Sequence, residues 1–220
     1  NHSISNLFIN SDSYHVGLFA KISYSVIENL TLINTYVECN KSHIGALVGK
    51  SHSSSIINCG SENGIISGGS YVGGLVGSMR LDEELTGNSE LMYCYATGSV
   101  VGSPRVGGLV AQVQHTLIDN CFVVMDDVMA SNDVGGFLWS ASACDIVECH
   151  STAVVSANNS YAGGFAGSIG YYSTVNNCSS EGEVSGDDYL GGFSGGIGLD
   201  CVVINCYSST DVFSTWGMSG

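Results

Sequence analysis

Basic residues are scarce in this chain. Lys and Arg number 5 among 220 residues, against 20 Asp and Glu, and the formal net charge is −15. So few cations cannot neutralise a phosphate track, which excludes a nucleic-acid-binding protein. The same shortage excludes attraction to an anionic membrane surface. Proline is nearly missing, with Pro104 alone. Charged residues make up 11%, well under the roughly 25% of an ordinary soluble domain. Disordered chains are charge-rich and apolar-poor, whereas this one is 44% hydrophobic. No run of about 18 apolar residues occurs, so no membrane-inserted helix is expected. The sequence opens at Asn1 without Met or a signal-peptide pattern and reads as a mature or excised segment.

Glycine is plentiful at 30 residues. It has no three-residue period, which excludes collagen. Its spacing marks a longer repeat. The segments His15-Val16-Gly17-Leu18-Phe19, His43-Ile44-Gly45-Ala46-Leu47, Tyr71-Val72-Gly73-Gly74-Leu75 and Arg105-Val106-Gly107-Gly108-Leu109 align. They continue as Asp133-Val134-Gly135-Gly136-Phe137, Tyr161-Ala162-Gly163-Gly164-Phe165 and Tyr189-Leu190-Gly191-Gly192-Phe193. The first glycine recurs at steps of 28, 28, 34, 28, 28 and 28 residues. The long step holds a polar inserted loop near 81–88, and an eighth copy starts at Trp216.

A second ladder runs in phase: Leu30, Cys59, Cys94, Cys121, Cys149, Cys178 and Cys206. Asn29, Asn58, Asn120, Asn177 and Asn205 stand just before five of these, with Tyr93 and Glu148 before the other two. An apolar residue lies three places earlier, from Ile27 to Val203. Another recurs about six places later: Tyr36, Ile65, Val100, Val155, Val184 and Val212, with Val128 one place late. Apolar residues three apart cannot both face inward on a straight strand. A bend at the Asn repairs the parity, since Asn tolerates left-handed backbone. Stacked amides can also hydrogen-bond from copy to copy.

Each copy holds three short β-like runs separated by Gly, Ser, Asn and Asp, and no window shows a helical period. One copy cannot bury its apolar face alone, so neighbours must stack. The expectation is an all-β parallel β-helix, or β-solenoid, of about 7–8 turns of 28 residues, three-faced and right-handed. It forms one domain over 1–220, read as a segment of a longer array or filament.

The run Val72-Gly73-Gly74-Leu75-Val76-Gly77, followed by Cys94-Tyr95-Ala96-Thr97-Gly98-Ser99-Val100, resembles the GLUG motif repeat. The resemblance covers nearly the whole chain. It departs at Leu18, which replaces the second glycine, and at Leu138-Trp139, which replaces Val-Gly. Such repeats occur in bacterial surface and secreted proteins, including adhesin-like proteins and IgA-directed peptidases. The resemblance implies an extracellular repeat array and carries over no catalytic residue.

Cysteines number 9. Six form the ladder, and their expected role is that of small buried hydrophobes, mostly reduced. Off the ladder stand Cys39, Cys144 and Cys201; Cys39 reads as a loop residue and the most reactive thiol. No metal or cofactor site is expected, because ligand spacing is absent. Gly192-Phe193-Ser194-Gly195-Gly196 matches a nucleophile elbow, but Ser194 stands where Val76 and Val48 stand in other copies. No catalytic residue is assigned. The column before the glycines holds His15, His43, Tyr71, Arg105, Asp133, Tyr161 and Tyr189. It alternates with an inward residue, so it should face out. His15, His43, Tyr71, Tyr161 and Tyr189 are therefore candidate sugar-binding residues, or else a cross-strand stack. Among the N-glycosylation sequons, Asn40, Asn158 and Asn1 are candidate glycan carriers, whereas Asn29 and Asn177 belong to the Asn ladder.

Three function classes compete. The first is a structural or adhesive extracellular fibre module, partnered head-to-tail by another copy or by flanking repeats. The second is a carbohydrate-binding module. The third, a polysaccharide-processing enzyme, needs a carboxylate cluster that no outward column supplies.

Overall fold

The computed structural model describes residues 2–80, 89–159 and 161–215. Each turn has the same order of strands. One turn reads Val106–Gly107, Val110–Gln114, Leu117–Asp119 and Phe122–Ala130. Its strands pair in parallel with the next turn: Val106 faces Val134, Val110 faces Leu138, Ile118 faces Ile146 and Val123 faces Ser151. The strands gather into one 14-stranded and two 7-stranded sheets. The chain is thus a parallel β-solenoid of about seven turns with three faces, and no helix occurs among the described residues.

Three faces are named here. The glycine face follows the Gly pair and runs through Val48–His52, Val76–Arg80 and Val110–Gln114. The short face has three-residue strands such as Ser55–Ile57 and Leu117–Asp119. The long face includes Tyr36–Ile44, Gly60–Gly73 and Phe122–Ala130.

The core lies between the faces, in columns. Leu47, Leu75, Leu109, Phe137 and Phe165 form one column with no exposed surface. Phe137, Phe165 and Phe193 stack at 4.8 Å between centroids, nearly parallel. Each such pair contributes about 0.5–1.5 kcal/mol beyond its area burial. The second glycine of the pair lets turns approach. A Cβ on Gly108 would overlap the Gly136 carbonyl oxygen, and one on Gly136 would overlap that of Gly164.

The corners use left-handed backbone. Among the described residues, twenty non-glycine residues have positive φ, a conformation that costs roughly 1–2 kcal/mol for most L-residues. They stack in columns. Asn29, Asn58, Tyr93, Asn120, Glu148, Asn177 and Asn205 turn the chain from the short face to the long face. Tyr24, Ser53, His115, Ala143, Tyr172 and Asp200 turn it from the glycine face to the short face. The bend expected at the Asn column is this left-handed residue.

Several register expectations need correction. Ile4-Ser5-Asn6-Leu7 looks like an Ile-x-Asn-Cys step, which would set Asn6 level with Asn29. Instead Ile4 faces Leu32 and Ser5 faces Ile33, so Asn6 lies level with Asn34. In the early turns the inward residues are Val37 and Ile66, not Tyr36 and Ile65, because the register shifts beside Gly98. Val128 does pair with Val100 and Val155; a shift on each side absorbs its extra residue. Cys39 is no loop residue: it lies 3% exposed within Tyr36–Ile44, with its thiol donating to the Ser13 carbonyl at 3.2 Å. Asn1, the insert 81–88 and the copy begun at Trp216 lie outside the described residues.

Candidate functional site

The Cys ladder closes a corner. In the six turns that carry Cys there, the thiol after the left-handed Asn, Tyr or Glu donates back to the carbonyl two residues earlier, whereas Leu30 after Asn29 has no side-chain donor. The distances are 3.3 Å for Cys59 to Ile57, 3.2 Å for Cys94 to Met92 and 3.1 Å for Cys149 to Val147. The same thiols also reach the previous turn, Cys94 to the Ile56 carbonyl at 3.5 Å and Cys121 to that of Leu91 at 3.3 Å. Burial pushes the thiols of Cys59 and Cys144 up to about 11, so they remain donors at neutral pH. All nine cysteines are free; Cys201 and Cys206, at the last turn, are half-buried.

A matching ladder at the other end of the short face was not read from the sequence. Ser25, Ser54, Thr116 and Cys144 donate to carbonyls two residues earlier at 2.8, 2.7, 2.8 and 3.2 Å. Cys144 and Cys201 therefore stand where other turns have Ser or Thr. Their spacing from Cys149 and Cys206 is the length of a three-residue strand with its two corners. Among the described residues no group of three or more His, Cys, Asp or Glu could hold a metal ion.

The His/Tyr column divides in two. His15, His43 and Tyr71 are half-buried rather than outward, each ring packed against the next along the column. His15 and His43 sit 5.0 Å apart, and His43 stacks on Tyr71 at 4.8 Å. Arg105 covers Tyr71 at 5.0 Å and donates to its hydroxyl at 2.6 Å. Burial, then the Lys50 charge, pushes His43 down to about 4. These rings already contact one another. Tyr161 and Tyr189 instead stack at 4.6 Å while 38% and 64% exposed.

The sequons also separate. Asn40 is exposed, but it lies within a strand, at the shift between Cys39 and Ser42, not in a loop. Asn158 is exposed at a bend. Asn58 donates to Asn29 at 2.7 Å, and Asn205 to Asn176 at 3.1 Å. The Asn177 side chain is exposed and lines a groove of about 330 Å³ with Asn120, Glu148, His150, Asn205 and Tyr207. Tyr93 and Glu148 interrupt a continuous amide ladder. Ser194 pairs with Ala166 in the column of Val76 and Val110, and its hydroxyl donates to the Gly196 carbonyl at 2.8 Å.

The last described turn leaves the core open. Phe193, Val203 and Cys206 continue buried columns yet are partly exposed, around a cavity of about 320 Å³. Ile197, Leu199, Val202 and Ile204 are exposed beside it. At the other end Phe8, Phe19 and Val26 are exposed.

Residues 158–185 match the family model described as the GLUG motif. This segment is similar to the GLUG motif. It spans the bend at Asn158, the glycine pair, the short-face strand Thr174–Asn176 and the long-face strand Ser179–Gly186 up to Ser185. The other turns share its register and columns. No curated protein matches the chain. Among solved structures, a candidate immunoglobulin A1 protease from Bacteroides ovatus is similar, with 16% identity and a TM-score of 0.57. The alignment covers 88% of this chain and 77% of that one. At this identity the likeness concerns the fold. No helix of the described residues is long and apolar enough to cross a membrane.

Proposed function

We propose that this chain is a non-catalytic structural module of an extracellular surface fibre, extended along the solenoid axis by a further turn stacked on each end. The observation that carries this is the open core at Phe193, Val203 and Cys206. A second copy offers matching groups: its Phe8, Phe19 and Val26 are exposed at the opposite end. Stacking would satisfy edge backbone groups by β-augmentation. Such a contact is heterologous and does not close, so it yields a filament. The GLUG motif and the surface proteins in which such repeats occur support the extracellular assignment. Light scattering and negative-stain imaging of residues 1–220 across a concentration series provide the test. Growth in one dimension is expected, and Phe193→Asp should abolish it. A monodisperse monomer at high concentration would overturn the proposal.

A second reading, carbohydrate binding by aromatic stacking, is favoured by the exposed Tyr161–Tyr189 pair. A glycan array comparing Tyr189→Ala with the parent chain tests it; equal signals would rule it out.

A further inference from the structure

The left-handed column at the start of the long face changes character along the rod. In the early turns its amides satisfy each other, as where Asn58 donates to Asn29 at 2.7 Å. Further along, Asn120 donates instead to the carboxylates of Asp119 at 3.0 Å and Glu148 at 3.2 Å. Asn205 turns to Asn176 at 3.1 Å. The Asn177 side chain, between Glu148 and Asn205 in the column, is left without a hydrogen bond among the described residues. The second carboxylate oxygen of Glu148 and the hydroxyl of Tyr207 are uncommitted in the same way.

A second column runs beside this one, two residues later in each turn: Tyr95, Phe122, His150, Ser179 and Tyr207. Phe122 stacks on Tyr95 at 5.2 Å yet stays 42% exposed. Tyr207 is 58% exposed, with no ring against it among the described residues. His150 is held by a hydrogen bond of 2.8 Å between its Nδ1 and the Ser179 hydroxyl, which leaves its Nε2 free. The groove of about 330 Å³ is walled by the two columns. It follows the rod axis from the turn of Asn120 to that of Asn205, three rungs or about 14 Å. A volume of this size suits a small-molecule site with a few convergent polar groups. Its lining contains no Lys or Arg and a single carboxylate, Glu148. None of the lining residues adjoins 81–88, Ser160 or the stretch from Trp216 in sequence.

We propose that this groove binds a neutral glycan chain laid along the rod axis, its sugar rings on Phe122 and Tyr207 and its hydroxyls on Glu148, Asn177 and Asn205. An exposed aromatic ring offers an apolar face to the C–H side of a sugar, and the Tyr hydroxyl adds a polar edge. An amide supplies both a donor and an acceptor, which is what a sugar hydroxyl requires. The free oxygen of Glu148 accepts from a hydroxyl by a charge-assisted bond. An acidic glycan would meet Glu148 and a net charge of −15 with no cation in the groove to offset them. A cationic ligand would gain little from one exposed carboxylate. Because like positions recur from turn to turn, a linear chain engages several turns at once. The site is new relative to the Tyr161–Tyr189 pair, which follows the far ends of the strands His150–Ala157 and Ser179–Gly186, whereas the groove lies at their beginnings. It opens on the side of the rod, so a further turn stacked on the last one does not cover it.

Calorimetric titration tests this with three neutral probes, cellohexaose, mannohexaose and N-acetylchitohexaose, and with acidic oligogalacturonate. At least one neutral probe should bind, with an affinity that salt leaves unchanged, and oligogalacturonate should not. Asn177→Gly/Tyr207→Ala should lower the affinity at least about tenfold, the scale of one or two lost hydrogen bonds. Glycine accepts the positive φ of 60° at position 177, and Tyr207 is exposed, so the variant should fold; circular dichroism checks that it does. Tyr189→Ala should bind like the parent. Failure of all three neutral probes overturns the proposal, as does an unchanged affinity in the groove variant. So does oligogalacturonate bound as tightly as the neutral chains, or a loss of affinity in Tyr189→Ala alone, which would place binding at the other pair. Filament formation is read separately, so either idea can fail alone.

Discussion

The carbonyl oxygen of Gly164 occupies the space a side chain at Gly136 would need. Gly136→Ala must push two turns apart in the centre of the stack. Overpacking of this kind costs about 1–3 kcal/mol, and urea unfolding should show a loss of that size. His43 illustrates a different residue-scale effect. Its folded value is pushed down to about 4, mainly by burial, from an ordinary 6.5. As pH falls below 6.5 the unfolded chain takes up this proton while the folded one refuses it until about 4. The unfolded state binds more protons in that window, so stability is lost as pH falls from 6.5 to 4. Thermal melts should show this acid loss, and His43→Phe, which keeps the ring against Tyr71, should flatten the slope.

The element that defines this solenoid is the corner: a left-handed residue followed by a side chain that donates two residues back. Asn58 is the left-handed member of one corner, with φ of 51°. Asn58→Val should cost about 1–3 kcal/mol, because a β-branched residue strains in that region. Asn58→Gly should be nearly neutral, losing the bond to Asn29 but relieving the backbone. Chemical denaturation of both variants checks the pair. The corners also explain what could be read in advance. The Asn-Cys corner was legible because the same two letters recur in most turns. The other corner was not: Ser25, Ser54, Thr116 and Cys144 differ in letter while sharing a bond. Periodicity likewise misled at Asn6, where two Asn columns lie five residues apart and only pairing tells them apart. It misled at Tyr36 and Ile65, where a register shift moves the inward residue by one. The outward reading of His15 and His43 left out the ring-on-ring contacts along the column, which half-bury them.

At the scale of the whole molecule, each turn contacts its neighbours alone, so stability should follow a nearest-neighbour sum. Removing residues 108–135 joins Gly107 to Gly136 and deletes one 28-residue turn in register. The shortened chain should keep its β-sheet circular dichroism and melt at a modestly lower temperature. Removing half as many residues breaks every column and should leave a chain that fails to fold.

The hydrogen bonds between turns run along the axis of the rod. A pull on the two chain ends therefore loads the outermost turn first, while the turns behind it remain sheltered. Detaching that turn frees 28 residues, which extend to roughly 95 Å. One turn occupied only about 4.8 Å of rod length. A tether built this way lengthens about twentyfold per turn lost, dissipating load in small successive steps instead of parting at a single force. Single-molecule stretching should record a regular staircase with that increment.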